Sequence, residues 1–292
     1  MLRNIVLLLI LLFESGFELH SQVHISSPRD VSNLSIVDSG SMRVLYALNA
    51  IDLKDHTTYD DLQILEIGEK ISKYYSFFIF NSDSLVTDFG LKKPNSGSIP
   101  NRMGVRGKDV WWSEYYYSEY FKNLEKHTFT EYTRMPYALE KMKLYCVENI
   151  PQFNWSIHPD TLSIMTYLCQ KATCHFRGRD YIAWFALDIP ISNGPWKFGG
   201  LPGLILKVYD ENGIYQFECI KIENHKRKYP IKTYNYGNYK EIEKKKLLKF
   251  QKEIHENYHK VAGLTTGDFI NGKFVPNNKS RPKIKYEPLE LE

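Results

Sequence analysis

His255-Glu256-Asn257-Tyr258-His259 is the one short stretch whose residue types and spacing could do chemistry unaided. On a helix, residues i and i+4 share a face, so both imidazoles could bind Zn²⁺ while Glu256 activates a water. Several details count against that reading. Lys260 follows the second histidine directly, Gly263 comes four residues after His259 rather than three, and no histidine follows. A glutamate ligand would have to be Glu287 or Glu290, from a proline-bearing tail with little prospect of a second helix. A zinc-dependent hydrolase is therefore the alternative function, and zinc is the cofactor of that alternative alone.

A second constellation consists of cations and indoles: Lys171, Arg177, Arg179, Trp184, Trp196 and Lys197. If the strands that carry them are neighbours, they could line one concave site for an anionic or amphiphilic ligand. Otherwise both tryptophans are core and both arginines are solvated turn residues, because strand facing follows from pairing and not from composition. No G-x-S-x-G elbow, P-loop or G-x-G-x-x-G after a strand is present. His158-Pro159-Asp160 reads as a turn. Gly199-Gly200 could admit a phosphate, yet no helix N-terminus follows to bind it.

The elements that must position these residues are mainly strands. Aromatics make up 14% of the chain, with 21 tyrosines, which favours strand-rich structure. Expected strands are 42–48, 61–67, 71–80, 128–134, 139–148, a stretch after Trp155, 162–173, 181–187, 204–209 and 214–222. A short helix is expected at 82–90. An amphipathic one is expected over 111–121, with Trp112, Tyr116, Tyr120 and Leu124 on one face. Leu247, Phe250, Ile254, Tyr258 and Val261 form one apolar stripe within 239–261, which predicts a C-terminal helix. The fold class is α+β, mainly antiparallel sheet, as a curved sheet or half-barrel carrying that helix.

The chain organises around Gly194-Pro-Trp-Lys-Phe-Gly-Gly-Leu-Pro-Gly-Leu-Ile-Leu-Lys-Val208. Leu201-Pro202-Gly203-Leu204 reads as a type II turn with Gly203 at positive φ, feeding a buried strand. At the N-terminus, a basic start precedes nine apolar residues from Ile5, too short to span a bilayer. That pattern predicts an export signal over 1–21. A single domain over 22–264 and an extended tail over 265–292 complete the division, with 22–40 a loose lead-in. A net charge of +4 gives no case for nucleic acid. In an oxidising compartment Cys169 could pair with Cys219 across the corner, and Cys146 with Cys174.

From Trp155 to Glu223 the order of motifs resembles the GLPGLI family. The matching pieces are Cys169-Gln-Lys-Ala-Thr173, Gly178-Arg179, Ala183-Trp184, Ile189-Pro190, Gly194-Pro-Trp196 and Gly200-Leu-Pro-Gly-Leu-Ile205. Upstream, Leu65-Glu-Ile-Gly-Glu-Lys70 and Ser72-Lys-Tyr-Tyr-Ser76 look like that family's N-terminal hairpin. The resemblance implies an exported or envelope-associated protein of uncharacterised activity and supplies no catalytic residues. The leading expectation is a non-catalytic protein, periplasmic, outer-membrane-associated or secreted. It would bind an amphiphilic ligand or an envelope or outer-membrane partner, with no transmembrane span after signal cleavage.

Overall fold

The computed structural model describes residues 26–109, 111–265, 267–270, 273–276 and 286–291, so the expected signal over 1–21 lies outside the described residues. Six strands follow one another as an antiparallel meander: β1 (Ser35–Leu48), β2 (Asp61–Gly68), β3 (Ile71–Ser76), β4 (Glu119–Asn123), β5 (Thr128–Tyr132) and β6 (Leu144–Asn149). A second meander comprises β7 (Ser156–Ile164), β8 (Tyr167–Phe176), β9 (Arg179–Ala186), β10 (Leu204–Asp210) and β11 (Gln216–Thr233). The long strands β1 and β11 pair antiparallel from Ser35↔Thr233 to Leu48↔Phe217 and fuse both meanders. With β12 (Lys240–Glu241) parallel to β6, the result is a 12-stranded sheet, open between edge strands β12 and β7. A separate hairpin joins β13 (Gly267–Ile270) to β14 (Lys273–Pro276).

Among the described residues, three α-helices accompany the sheet: α1 (Phe77–Lys92), the single turn α2 (Glu114–Tyr117) and α3 (Lys244–Val261). The α3 stripe works as its pattern requires. Leu247 and Ile254 are buried, and Phe250, Tyr258 and Val261 pack over Trp112, Met135 and Cys146.

Local pattern fails where a neighbour outweighs it. Phe77-Phe-Ile-Phe80 begins a helix rather than ending a strand, because the Ser76 hydroxyl accepts from the Ile79 amide as an N-cap. The helix expected over 111–121 lasts one turn. From Glu119 the chain instead pairs with β3, and cross-strand bonding prevails over the helical period. The stretch 162–173 is a hairpin, turning at Met165 with φ 53° between β7 and β8. Residues 35–40, expected as lead-in, are already β1.

The corner is also built differently from expectation. Gly203 is not at positive φ; that conformation belongs to Gly200 (φ 85°) and Trp196 (φ 48°). Gly203 is needed because a Cβ there would lie 2.1 Å from the Ala186 carbonyl oxygen. Beneath the corner, Lys122 of β4 is buried and donates to Asn193 Oδ1 (2.8 Å), the Phe198 carbonyl (2.6 Å) and the Gly194 carbonyl (3.5 Å). Asn193 in turn donates to Ser72 Oγ at 3.0 Å, so β3 and β4 both hold this loop.

All four cysteines are buried free thiols, so neither expected disulfide forms. Cys169 on β8 and Cys219 on β11 have β9 and β10 between them. Cys146 lies in the cluster under α3, while Cys174 lies in the main core. Burial pushes these thiols up, Cys146 and Cys169 to about 11, Cys174 and Cys219 to about 12.

Two outcomes follow for denaturant unfolding. Gly203→Ala should cost about 3 kcal/mol, because backbone must move, whereas Gly200→Ala, with nothing nearer than 3.7 Å, should cost about 1 kcal/mol for its left-handed φ. Burial lowers the Lys122 amine from 10.5 to about 7. Between those values the unfolded chain binds a proton that the folded chain does not, so stability rises with pH. That gain, up to about 1.4 kcal/mol per pH unit, should be absent in Lys122→Met when both proteins are unfolded in urea between pH 7 and 9.

Candidate functional site

Tyrosines, cations and carboxylates from seven parts of the fold converge on the segment 286–291. The β8–β9 turn supplies Arg177, and β9 supplies Arg179 and Tyr181 on the same inward face as Ala183 and Phe185. The corner supplies Lys197, β6 supplies Glu148, α2 supplies Glu114 and Tyr115, the turn before β11 supplies Tyr215, and α3 supplies Lys244 and His255. Between them runs Tyr286-Glu-Pro-Leu-Glu-Leu291, with Leu289 fully buried and Glu290 3% exposed. Within the expected extended tail, Pro288, Leu289 and Glu290 are thus buried, while Tyr286 and Glu287 are half-buried and Leu291 is exposed.

Host side chains meet the backbone of this segment. Tyr215 donates its hydroxyl to the Glu287 carbonyl (2.5 Å), Arg179 Nε to the Pro288 carbonyl (2.7 Å), and Tyr181 to the Leu289 carbonyl (2.7 Å). The Leu289 amide donates to the Tyr115 hydroxyl at 2.8 Å, and the Leu291 amide to the Arg177 carbonyl at 2.9 Å. Leu289 belongs to the main core, where burying a leucine side chain contributes roughly 2 kcal/mol.

The Glu290 carboxylate is the electrostatic centre. One oxygen accepts from Lys197 Nζ at 2.5 Å and from Arg177; the other faces Lys244 Nζ at 2.8 Å. Glu148 bridges Arg177 and Lys197 from the far side, and Glu131 faces Lys244 at 3.2 Å. Burial alone would raise the Glu290 pKa, but Lys244, Lys197 and Arg177 overcome it and hold it at about 2. Burial and the adjacent Lys244 hold the Lys197 amine below the usual lysine range. Three cations crowded together thus depend on these carboxylates.

A smaller cluster fixes the start of the segment. Tyr286 stacks on His255, with ring centroids 4.4 Å apart, and donates its hydroxyl to Glu114 at 2.6 Å. His255 Nε2 lies 2.9 Å from the other Glu114 oxygen. Burial pushes Glu114 up, but His255 and the Tyr286 hydroxyl outweigh it and hold the carboxyl below its usual range.

Of the residues singled out by type and spacing, Arg177, Arg179, Trp196 and Lys197 do come together. Trp196 is core, edge-on to Tyr115, and Arg179 is buried with Asp210 at 3.5 Å and Glu287 at 3.4 Å rather than solvated. Lys171 and Trp184 face each other across β8 and β9 on the opposite side of the sheet from Tyr181 and Phe185. In the H-E-x-x-H stretch, Asn257 leaves helical geometry (φ −139°, ψ 37°), which interrupts the i, i+4 alignment. His255 is engaged with Glu114, Glu256 lies 3.8 Å from Lys252, and His259 meets the Tyr258 ring. Among the described residues, no three His, Cys, Asp or Glu side chains are placed to hold a metal ion. Residue types and spacing alone did not single out Glu148, Lys244, Glu114 or the tyrosines Tyr115, Tyr181 and Tyr215. The one local signal was an apolar Pro-Leu pair within a polar tail.

A family described as "Protein of unknown function (Porph_ging)" has a sequence model that matches residues 176–207, the β8–β9 turn through the corner. No curated protein matches the chain. Among solved structures, a crystal form titled "Structure of PNGF-II in P21 space group" is similar with TM-score 0.48 and 12% identity, over 74% of this chain and 34% of that one. A second, "Structure of PNGF-II in C2 space group", has TM-score 0.44 and 13% identity, over 73% and 33%. The chain spans about a third of the length of these structures.

Glu290 generates a pH prediction. Its pKa is about 2 when folded against 4.5 as the ordinary value, so its contribution is complete above about pH 4.5 and lost as pH falls toward 2. The shift corresponds to about 3 kcal/mol. Glu290→Gln should lose about 3 kcal/mol in urea unfolding at pH 7, and the gap to the wild type should shrink by more than half at pH 3.

Proposed function

We propose that this chain is an exported, non-catalytic protein of the cell envelope that binds carboxylate-bearing ligands or partners in the slot below α3. One observation carries the reading: Arg177, Lys197 and Lys244, from three distant elements, converge on a single carboxylate. Guanidinium and ammonium groups held this way recognise carboxylates strongly because the site is desolvated and the geometry is set in advance. The tyrosine hydroxyls and Arg179 beside them are hydrogen-bond donors that hold an occupant in place. Lys197 and Arg177 hold the Glu148 carboxyl below its usual range, and Glu148 in turn positions those two cations.

Export is supported by the apolar run from Ile5 and by the resemblance to the GLPGLI family around Gly200–Ile205. The Porph_ging match covers the same corner and the slot residues Arg177, Arg179 and Lys197. No described helix is long and apolar enough to cross a membrane. An envelope or outer-membrane protein, or an amphiphilic carboxylate, is the partner that fits this placement.

Chemical rescue tests the reading. Glu290→Ala removes the carboxylate and leaves space for a small one. Propionate should raise the variant's melting temperature by roughly 5 °C at saturation, while sodium chloride at equal ionic strength should not. A variant that propionate leaves unchanged would rule out an anion-recognising slot.

A further inference from the structure

The segment 286–291 forms no strand of either sheet, although extended chain at a sheet would ordinarily satisfy itself by ladder pairing. Its backbone is met instead by the polar tips of Arg179, Tyr181 and Tyr115, which are buried, and of Tyr215, which is half-buried. A small carboxylate would use the three cations and leave these groups idle. An extended polypeptide uses all of them. Specificity then comes from two further features: the fully enclosed seat of Leu289, and the three-cation grip on the residue that follows it.

We propose that residues 286–291 are a self-ligand, and that the slot's partner is a polypeptide segment of the same chemistry. That segment is extended and carries a proline-leucine pair followed directly by a carboxylate, and it displaces the chain's own segment in trans. The inference rests on the slot being anion-recognising and adds that the ligand is peptide. Covalent attachment gives the cis segment a high effective concentration, so the slot is occupied at rest and a partner must outcompete it. Tyr286 acts as the latch on this occupancy, stacked on His255 and bonded to Glu114. The mode differs from strand addition, since side chains and not a sheet edge supply the partners for the backbone.

The test uses the full-length chain with Leu289→Arg, which expels the segment by placing a cation in an enclosed apolar seat beside Lys197 and Arg177. The probe is a fluorescein-labelled peptide Tyr-Glu-Pro-Leu-Glu-Leu, followed by fluorescence polarisation. The variant should bind it saturably, and the wild type at least tenfold more weakly. Peptides with alanine for the first leucine, or glutamine for the second glutamate, should bind the variant at least tenfold more weakly than the parent peptide. Glutarate, a non-peptide dicarboxylate, should not displace the probe at equal concentration. If glutarate displaces it equally well, the peptide inference falls while the anion reading stands. If a folded variant binds neither, both fall. Glu290→Ala provides a second, milder opening of the slot. If both variants lack cooperative unfolding and the peptide does not restore it, the segment is core and the inference is overturned. A wild-type dimer that forms with concentration and dissolves on adding peptide would assign the slot to a second copy, overturning a separate partner.

Discussion

A buried carboxylate surrounded by three cations is the constraint on which the rest of this structure turns. Glu290 sits where Arg177, Lys197 and Lys244 would otherwise repel one another in a medium that screens them poorly. Taking such charges out of water is costly, and the cost is offset only where geometry and additional hydrogen bonds are complete. Here they are complete: Glu148 backs two of the cations, Glu131 backs the third, and Gln251 donates to Glu131 at 3.0 Å. One charge network thus ties β6, the β8–β9 turn, the corner, α3 and the terminal segment into a single arrangement.

The same device recurs elsewhere in the molecule. Lys73 pairs with Glu119 at 2.7 Å between β3 and β4, both nearly fully buried. Arg134 pairs with Asp83 of α1 at 2.6 Å, and Tyr234 donates to that carboxylate. Lys122 differs in kind, because its buried amine is met by an amide oxygen and two carbonyls rather than a carboxylate. An open sheet has no closed barrel to define its inner face. Pairs like these, each joining segments far apart in sequence, define which side is interior and where the loops must lie.

This arrangement also accounts for the histidines of α3. An H-E-x-x-H helix that held a metal would need both imidazoles directed at one point. The break at Asn257 and the Glu114–His255–Tyr286 contacts turn His255 into a support for the terminal segment.

Much of the sheet was legible in the chain, because strand alternation and turn residues are local. The hairpin of β2 and β3, the turn at Arg177-Gly178, strands β9 and β10, and the stripe of α3 lie close to where period and punctuation place them. Misreadings fell where local preference was overruled: at Ser76, whose cap began a helix within an aromatic run, and at Glu119, where pairing with β3 ended one. By itself the sequence determined a mainly antiparallel class and the amphipathic helix near the C-terminus. The tertiary structure alone decided that Lys171 and Trp184 lie on the other face, that Gly203 is required by the Ala186 carbonyl, and that Glu290 completes the site. The reason is physical. Periodicity acts between residues a few positions apart, whereas a buried ion pair such as Lys197–Glu290 joins groups 93 positions apart and leaves no trace in either neighbourhood.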